Sequence, residues 1–261
     1  PFGAMTTSSG TRGLLIGGSW VEGSGGGYEV LNPATEAVVG VAPEATAEDA
    51  RAAAAAAAEA FPAWSRTAPE ERAALLDKVG DLLEARMADL VPLVQAETGA
   101  TLAVTNSLQI PQAITRFRRY AKGALEPTRI PLPPGQQAAT PLAPGGLISA
   151  VAVRQPVGVV AAITSYNFPL TNMAGKICPA LAMGNTVVVK PAPQDPLAVI
   201  ELMAIMEEAG FPPGVVNVVN SSTPVAAEAL VAATEVDMIS FTGSTAVGRH
   251  IGSVAGGEMK R

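Results

Sequence analysis

Residues 157–190 constrain the fold more tightly than any other part of the chain. They read Val157-Gly-Val-Val-Ala-Ala-Ile163, then Thr164-Ser165-Tyr166-Asn167-Phe168-Pro169, then a helical stretch over 170–183, then Thr186-Val-Val-Val189-Lys190-Pro191. A short apolar run with β-branched members, closed by turn-formers, predicts a buried strand. Gly184-Asn185 ends the helix, because Gly accepts the left-handed cap conformation. The second strand is apolar on both faces. Strand, helix and doubly buried strand make a parallel βαβ unit. Ligands of such sheets bind beyond the carboxyl ends of the strands. The polar residues Thr164, Ser165, Tyr166, Asn167 and Lys190 fall at those ends, so chemistry is to be sought there.

The rhythm continues. Strands are predicted near 157–163, 186–189, 215–219 and 237–241, alternating with helices near 170–183, 196–209, 224–233 and 245–254. The expected fold class is α/β: a doubly wound, mainly parallel Rossmann-like sheet with N-terminal helices and a β extension. The expected organisation is a disordered tail at 1–13, a hairpin and helical part at 14–126, an extended connection or oligomerisation strands at 127–155, and nucleotide-binding βα units at 156–261. Leu14 to Val21 and Tyr28 to Leu31 flank the Gly-rich residues 22–27 and predict a hairpin across them. Thr46-x-x-Asp49 and Thr67-x-x-Glu70 each predict a capping box. The alanines 52–58 predict a close-packing helix. Leu75, Leu76, Val79, Leu82, Leu83 and Met87 share one helical face. Further helices are expected at 88–97, stopping at Gly99, and at 102–121. Its Arg116, Arg118 and Arg119 read as a solvated face or an interface rim. Six prolines in 127–146 argue for extended chain, and 147–153 for a strand that pairs outside the main sheet.

Met238-Ile-Ser-Phe241-Thr242-Gly243-Ser244-Thr245 is the second informative stretch. A strand delivers Gly243 to the mouth of a helix whose first N–H groups lack partners, an arrangement that favours an anion such as a pyrophosphate. The spacing is not Gly-x-Gly-x-x-Gly, and a plain capped turn fits it equally. A net charge of -6 argues against nucleic acid. No apolar run reaches the ~18–20 residues that cross a bilayer. The start carries no secretory signal, and the residues before Met5 read as an expression remnant. One cysteine excludes an intrachain disulfide framework and makes a reducing cytoplasm the expected compartment. No metal site or Ser/His/Asp group can be assembled. His250 reads as a surface or packing residue.

Taken together, the motifs resemble the aldehyde dehydrogenase superfamily. The matching pieces are Pro156-Val-Gly-Val, Tyr166-Asn167-Phe168-Pro169-Leu170, Lys176 with Pro179-Ala-Leu-Ala-x-Gly184-Asn185-Thr, Val189-Lys190-Pro191-Ala192, Glu208-Ala-Gly-Phe-Pro-Pro-Gly214-Val-Val-Asn217 and Phe241-Thr-Gly-Ser-Thr245, with Asn32-Pro33-Ala34-Thr35 upstream. The resemblance implies that Asn167 donates its amide to the oxyanion of a cysteine-bound tetrahedral intermediate. It implies that Lys190 hydrogen-bonds the adenosine ribose of NAD or NADP. Ile163, Thr164, Ser165, Tyr166, Ala192, Pro193, Phe241 and Val247 would line the cofactor cleft, and Gly243 and Ser244 would meet the pyrophosphate. An aldehyde would be the substrate and a homodimer or homotetramer the assembly.

Departures accompany the likeness. Pro193 stands where many NAD-preferring members carry a glutamate, which leaves NADP open. Asn220-Ser-Ser-Thr223 replaces a Gly-rich turn, and its match to a glycosylation sequon reads as chance. The family's nucleophile, in Gly-Gln-x-Cys, and its general base, in Glu-Leu-Gly-Gly-Lys, are both absent. Cys178 reads as a small buried thiol. The resemblance therefore implies the N-terminal, cofactor-binding portion of a longer enzyme, inactive alone and ending in an unpaired sheet edge. The competing readings are a non-catalytic nucleotide-binding or assembly module and a related acyl-phosphate- or acyl-CoA-linked reductase.

Overall fold

The computed structural model describes residues 12–261, so most of the tail expected at 1–13 lies outside the described residues. Arg12 is anchored: its Nε donates to Glu201 at 2.9 Å and its guanidinium lies 5.6 Å from the Trp20 ring centre. Strands β1 (Leu14–Ile16), β2 (Ser19–Val21), β3 (Gly27–Leu31) and β4 (Val38–Pro43) come first. Helices α1 (Ala47–Trp64), α2 (Pro69–Ala85) and α3 (Met87–Thr98) follow, then the single turn α4 (Leu102–Val104), a π-turn at Thr105–Gln109, and α5 (Ile110–Ala124). Four short strands, β5 (Arg129–Pro131), β6 (Gly135–Gln137), β7 (Gly146–Ile148) and β8 (Val151–Val153), lead to the βα units. These are β9 (Val159–Ile163), α6 (Pro169–Ala182), β10 (Thr186–Lys190), α7 (Leu197–Ala209), β11 (Val216–Val218), α8 (Val225–Ala232), β12 (Met238–Phe241) and α9 (Thr245–Gly257).

The main sheet has the order β12-β9-β10-β11-β1-β2. Its first four strands run parallel, and β1 joins antiparallel to β11 through Leu15 and Val218. The chain runs outward from β9 through β10 to β11, then crosses back to lay β12 on the other side of β9. That reversal makes β9 a topological switch point. Alternate strand residues feed two cores. Val160, Ala162, Val187 and Val189 pack with Leu76, Phe117, Ile177 and Met203 on one face. Val159, Ala161 and Val188 pack with Ala50, Ala53, Ala54 and Ala57 of α1 and Leu230 of α8 on the other. The alanine run thus brings α1 close against the sheet. Each buried Val, Ile or Leu contributes roughly 1.5–3 kcal/mol.

Several expectations need correction. The first hairpin turns at Gly17-Gly18, with φ of +62° and +83°, because two glycines permit a two-residue turn with both central φ positive. The Gly-rich 22–27 stretch instead leads into β3, which pairs with β4. Thr46 and Asp49 do form a capping box, but α2 starts from Ala68 without any side-chain cap, with Pro69 as its first residue. The helix expected at 102–121 is interrupted by the π-turn. Residues 129–153 form two separate ladders, β5 with β8 and β6 with β7, all exposed. Strand β12 ends the sheet as expected, with no strand beyond it among the described residues, and Arg261 lies against it: Ile239 N–H donates to the Arg261 carbonyl at 2.8 Å, and Arg261 N–H to Asp237 at 3.0 Å.

Candidate functional site

Strand register brings the predicted residues to one edge of the sheet. Lys190, the last residue of β10, pairs laterally with Ile163, the last of β9, and Ile163 pairs with Phe241, the last of β12. The bonds continue past the strands, from Thr164 N–H to the Lys190 carbonyl at 3.3 Å and from Thr242 N–H to the Ile163 carbonyl at 3.0 Å. The loop 164–168, Lys190 and the turn at Gly243 therefore leave three neighbouring tips at the switch point.

The base of β9 is fixed from behind. Asn185 Oδ1 accepts from the N–H groups of Val157 (2.6 Å) and Gly158 (3.1 Å), while its Nδ2 donates to Ala180 at 3.0 Å. Gly158, at φ +131°, lets Asp237 come in to accept from Val159 N–H at 2.8 Å; a Cβ there would sit 1.8 Å from the Asp237 oxygen.

Beyond β9, Ile163 and Thr164 are buried, Ser165 is half-buried, and Tyr166 and Asn167 are exposed. Asn167 is oriented by acceptance: its Oδ1 takes Ser165 Oγ at 2.9 Å and Asn172 Nδ2 at 3.2 Å. Its NH2 group is left to donate outward. Pro169 opens α6 and ends the loop. The resulting cleft, about 470 Å³, is lined by Asn167, Tyr166, Gln109, Glu97, Gln194 and Asp195. Sequence reading missed the two acids, Glu97 and Asp195. Glu97 caps α7 from outside its own helix, accepting from Leu197 and Ala198 N–H at 2.5 and 2.8 Å. Burial pushes its carboxyl up to about 8. Asp195 is buried with neither carboxyl oxygen partnered, and burial followed by the charge of Glu97 pushes it up to about 9. Neither acid lies in a periodic pattern that would have marked it.

Lys190 lies lower than the sequence implied. It is 6% exposed, and its Nζ donates to the Ser221 carbonyl at 3.3 Å. Burial pushes its ammonium down to about 8, opposed by the charge of Glu44. Ala192 is buried and Pro193 half-buried. At the third tip, Ser244 caps α9 by accepting Val247 N–H at 3.3 Å. Gly243, Ser244, Thr245 and Val247 are exposed around the helix mouth, beside a shallow hollow of about 530 Å³ that Phe241 and Gly243 share. A Cβ on Gly243 would lie 2.4 Å from the Phe241 ring, so a side chain there displaces the ring. The Asn167 cleft and the Gly243 hollow are distinct surfaces, and Lys190 lines neither.

The residues fit a dinucleotide. Two buried polar side chains flank Lys190 without partners: Thr164 Oγ1 after β9 and the Asn220 amide after β11. Such groups are satisfied in nearly all native structures, and these two lie beneath the surface beside the strand tips. The larger hollow, about 840 Å³, opens beside Val157, Lys176 and Asp237, away from the strand tips where ligands of open sheets bind. Among the described residues no His, Cys, Asp and Glu group is arranged for a metal, and no helix is long and apolar enough to cross a membrane.

Comparison with known proteins gives a consistent result. The profile of the Aldehyde dehydrogenase family matches residues 20–261. Phenylacetaldehyde dehydrogenase of Pseudomonas fluorescens is 40% identical over 95% of this chain and 49% of its own length. The 2-aminomuconic semialdehyde dehydrogenase of Danio rerio is 38% identical over 85% of this chain and 44% of its own. Among solved structures, betaine aldehyde dehydrogenase of Staphylococcus aureus in complex with NAD+ superimposes with a TM-score of 0.87 at 30% identity, covering 96% of this chain and 48% of that one. An E. coli NADP dependent enzyme gives 0.88 at 34% identity, covering 96% and 50%. The chain thus spans about half the length of the relatives it matches.

Proposed function

The chain belongs to the aldehyde dehydrogenase family, and from that premise we propose that it supplies the cofactor-binding face and the oxyanion donor of an enzyme oxidising an aldehyde to a carboxylic acid with NAD or NADP. The observation that carries this reading is the lateral register of Lys190, Ile163 and Phe241, which sets the Asn167 loop, the Lys190 tip and the α9 mouth side by side. We assign Lys190, at the tip of β10, to the ribose. The free N–H groups of α9 face the pyrophosphate, with the helix dipole favouring its charge. The dinucleotide, when bound, supplies the hydride acceptor.

Asn167 stabilises charge that develops on the aldehyde oxygen. Its NH2 is held outward by the two donors on its own oxygen, so no reorganisation is needed as the charge forms. Cys178 is not the nucleophile. It is fully buried in α6, and burial raises its thiol well above the ordinary value, opposed only by Arg116. A thiolate attacks only where it is exposed and its pKa is low. We assign the nucleophile and the general base to sequence outside this chain, and no turnover to these 261 residues alone. We assign self-association to the ladders of 129–153, where Ile130, Leu147, Ile148, Val151 and Val153 are exposed.

Titration of the full-length protein with NAD and NADP, followed by aldehyde-dependent NAD(P)H formation, tests the reading. Lys190→Ala is expected to weaken dinucleotide binding about tenfold, the loss of roughly one charge-assisted hydrogen bond. A protein that binds neither dinucleotide, or a Lys190→Ala variant that binds as tightly as the parent, contradicts it.

A further inference from the structure

Pro193, which stands where the family resemblance puts a carboxylate in many NAD-preferring members, carries no charge. The fold delivers a carboxylate to the neighbouring tip by another route. Glu44 lies between β4 and the capping residue Thr46, and the backbone of this loop is tied to the turn after β11 by Ala45 N–H donating to the Asn220 carbonyl at 2.7 Å. The Glu44 carboxylate accepts Ser221 Oγ at 2.7 Å and Ser222 N–H at 2.9 and 3.1 Å. Ser221 in turn offers its carbonyl to Lys190 Nζ at 3.3 Å. One residue, Ser221, therefore joins the carboxylate and the ammonium. The charge acting on Lys190 is that of Glu44.

We propose that Glu44 sets the choice of dinucleotide, its fixed carboxylate balancing Lys190 and repelling a 2′-phosphate, so that NAD is bound in preference to NADP. The proposal rests on the dinucleotide reading above. A ribose 2′-hydroxyl is neutral and loses nothing beside a balanced Lys–Glu pair. A 2′-phosphate brings close to two negative charges against a carboxylate that three hydrogen bonds hold in place. Sites that accept the 2′-phosphate supply a surplus cation, commonly an Arg. The contacts of Glu44 and Lys190 are instead to Ser221 and Ser222.

The test compares dissociation constants for NAD and NADP in the full-length protein and in Glu44→Gln, which keeps one oxygen to accept Ser221 Oγ and Ser222 N–H while removing the charge. The parent is expected to bind NAD at least tenfold more tightly than NADP. In Glu44→Gln the preference is expected to shrink about tenfold, through tighter NADP binding with NAD little changed. A parent that binds NADP as tightly as NAD overturns the proposal with no variant needed. A variant whose ratio is unchanged, with both affinities intact or both lowered together, also overturns it and leaves Glu44 a structural residue. A parent that binds neither dinucleotide removes the premise and the proposal with it.

Discussion

Asn167 and Gly243 show how far single residues determine this site. The place of Asn167 after a buried strand was legible in the sequence, and the role proposed for its amide comes from the family resemblance; the hydrogen bonds from Ser165 and Asn172 that aim it were not legible. Removing one oxyanion donor typically costs about 10²–10³ in kcat. Asn167→Ala in the full-length enzyme is therefore expected to lose that much turnover while binding dinucleotide as before. A variant with parental kcat would show that the amide does not meet the reacting oxygen. Glu97, Asp195 and Glu44 escaped notice for one reason: each acts across a long stretch of chain, on Leu197, within a cleft, or on Ser221, and no local period records such contacts. Glu97 and Asp195 also predict a pH dependence. Their folded values, about 8 and about 9, lie above ordinary carboxylate values near 4. The folded chain then holds protons that the unfolded chain releases. Stability from these groups is full below pH ~4, declines as pH rises, and is lost through pH 8–9. Thermal melts at pH 5 and pH 9 should show a falling Tm, and Asp195→Asn should flatten the fall. A Tm that rises over this range, or an unchanged slope in the variant, contradicts it.

At the scale of elements, the βα units were legible because their strands are short apolar runs closed by turn-formers. Strand and helix boundaries fall within a few residues of those predicted. The N-terminal hairpin was misplaced because two glycine clusters lie close together and only the tighter Gly17-Gly18 makes the turn. Residues 129–153 gave no firm pattern, since strands exposed on every residue lack the alternation a core imposes. The junction between α6 and β9 is held by Asn185. Asn185→Ala strands the N–H groups of Val157 and Gly158, while the Ala180 carbonyl keeps the backbone N–H of residue 185. Unsatisfied buried groups cost ~1–3 kcal/mol each, so a loss of about 2–4 kcal/mol is expected in denaturant unfolding. Gly158→Ala should cost about 2–3 kcal/mol, because its φ of +131° and the Asp237 oxygen leave no room for a Cβ. Near-parental midpoints for either variant would mean that the base of β9 is anchored elsewhere.

For the whole molecule, the sheet order places the crossing-back strand β12 beside β9, and that single topological fact creates the three adjacent tips. The exposed apolar residues of 129–153 lie outside this sheet, and self-association is their expected use. Leu147→Asp together with Val151→Asp should reduce the oligomeric mass seen by light scattering without altering dinucleotide affinity; an unchanged mass would assign association to another surface. The central claim concerns where the dinucleotide lies, and a crystal structure of the full-length protein with NAD+ addresses it directly. The adenosine ribose is predicted within hydrogen-bonding reach of Lys190, and the pyrophosphate over the α9 mouth at Gly243 and Ser244. Density for the dinucleotide in the hollow beside Lys176 and Asp237, or anywhere away from the β9, β10 and β12 tips, would contradict the account.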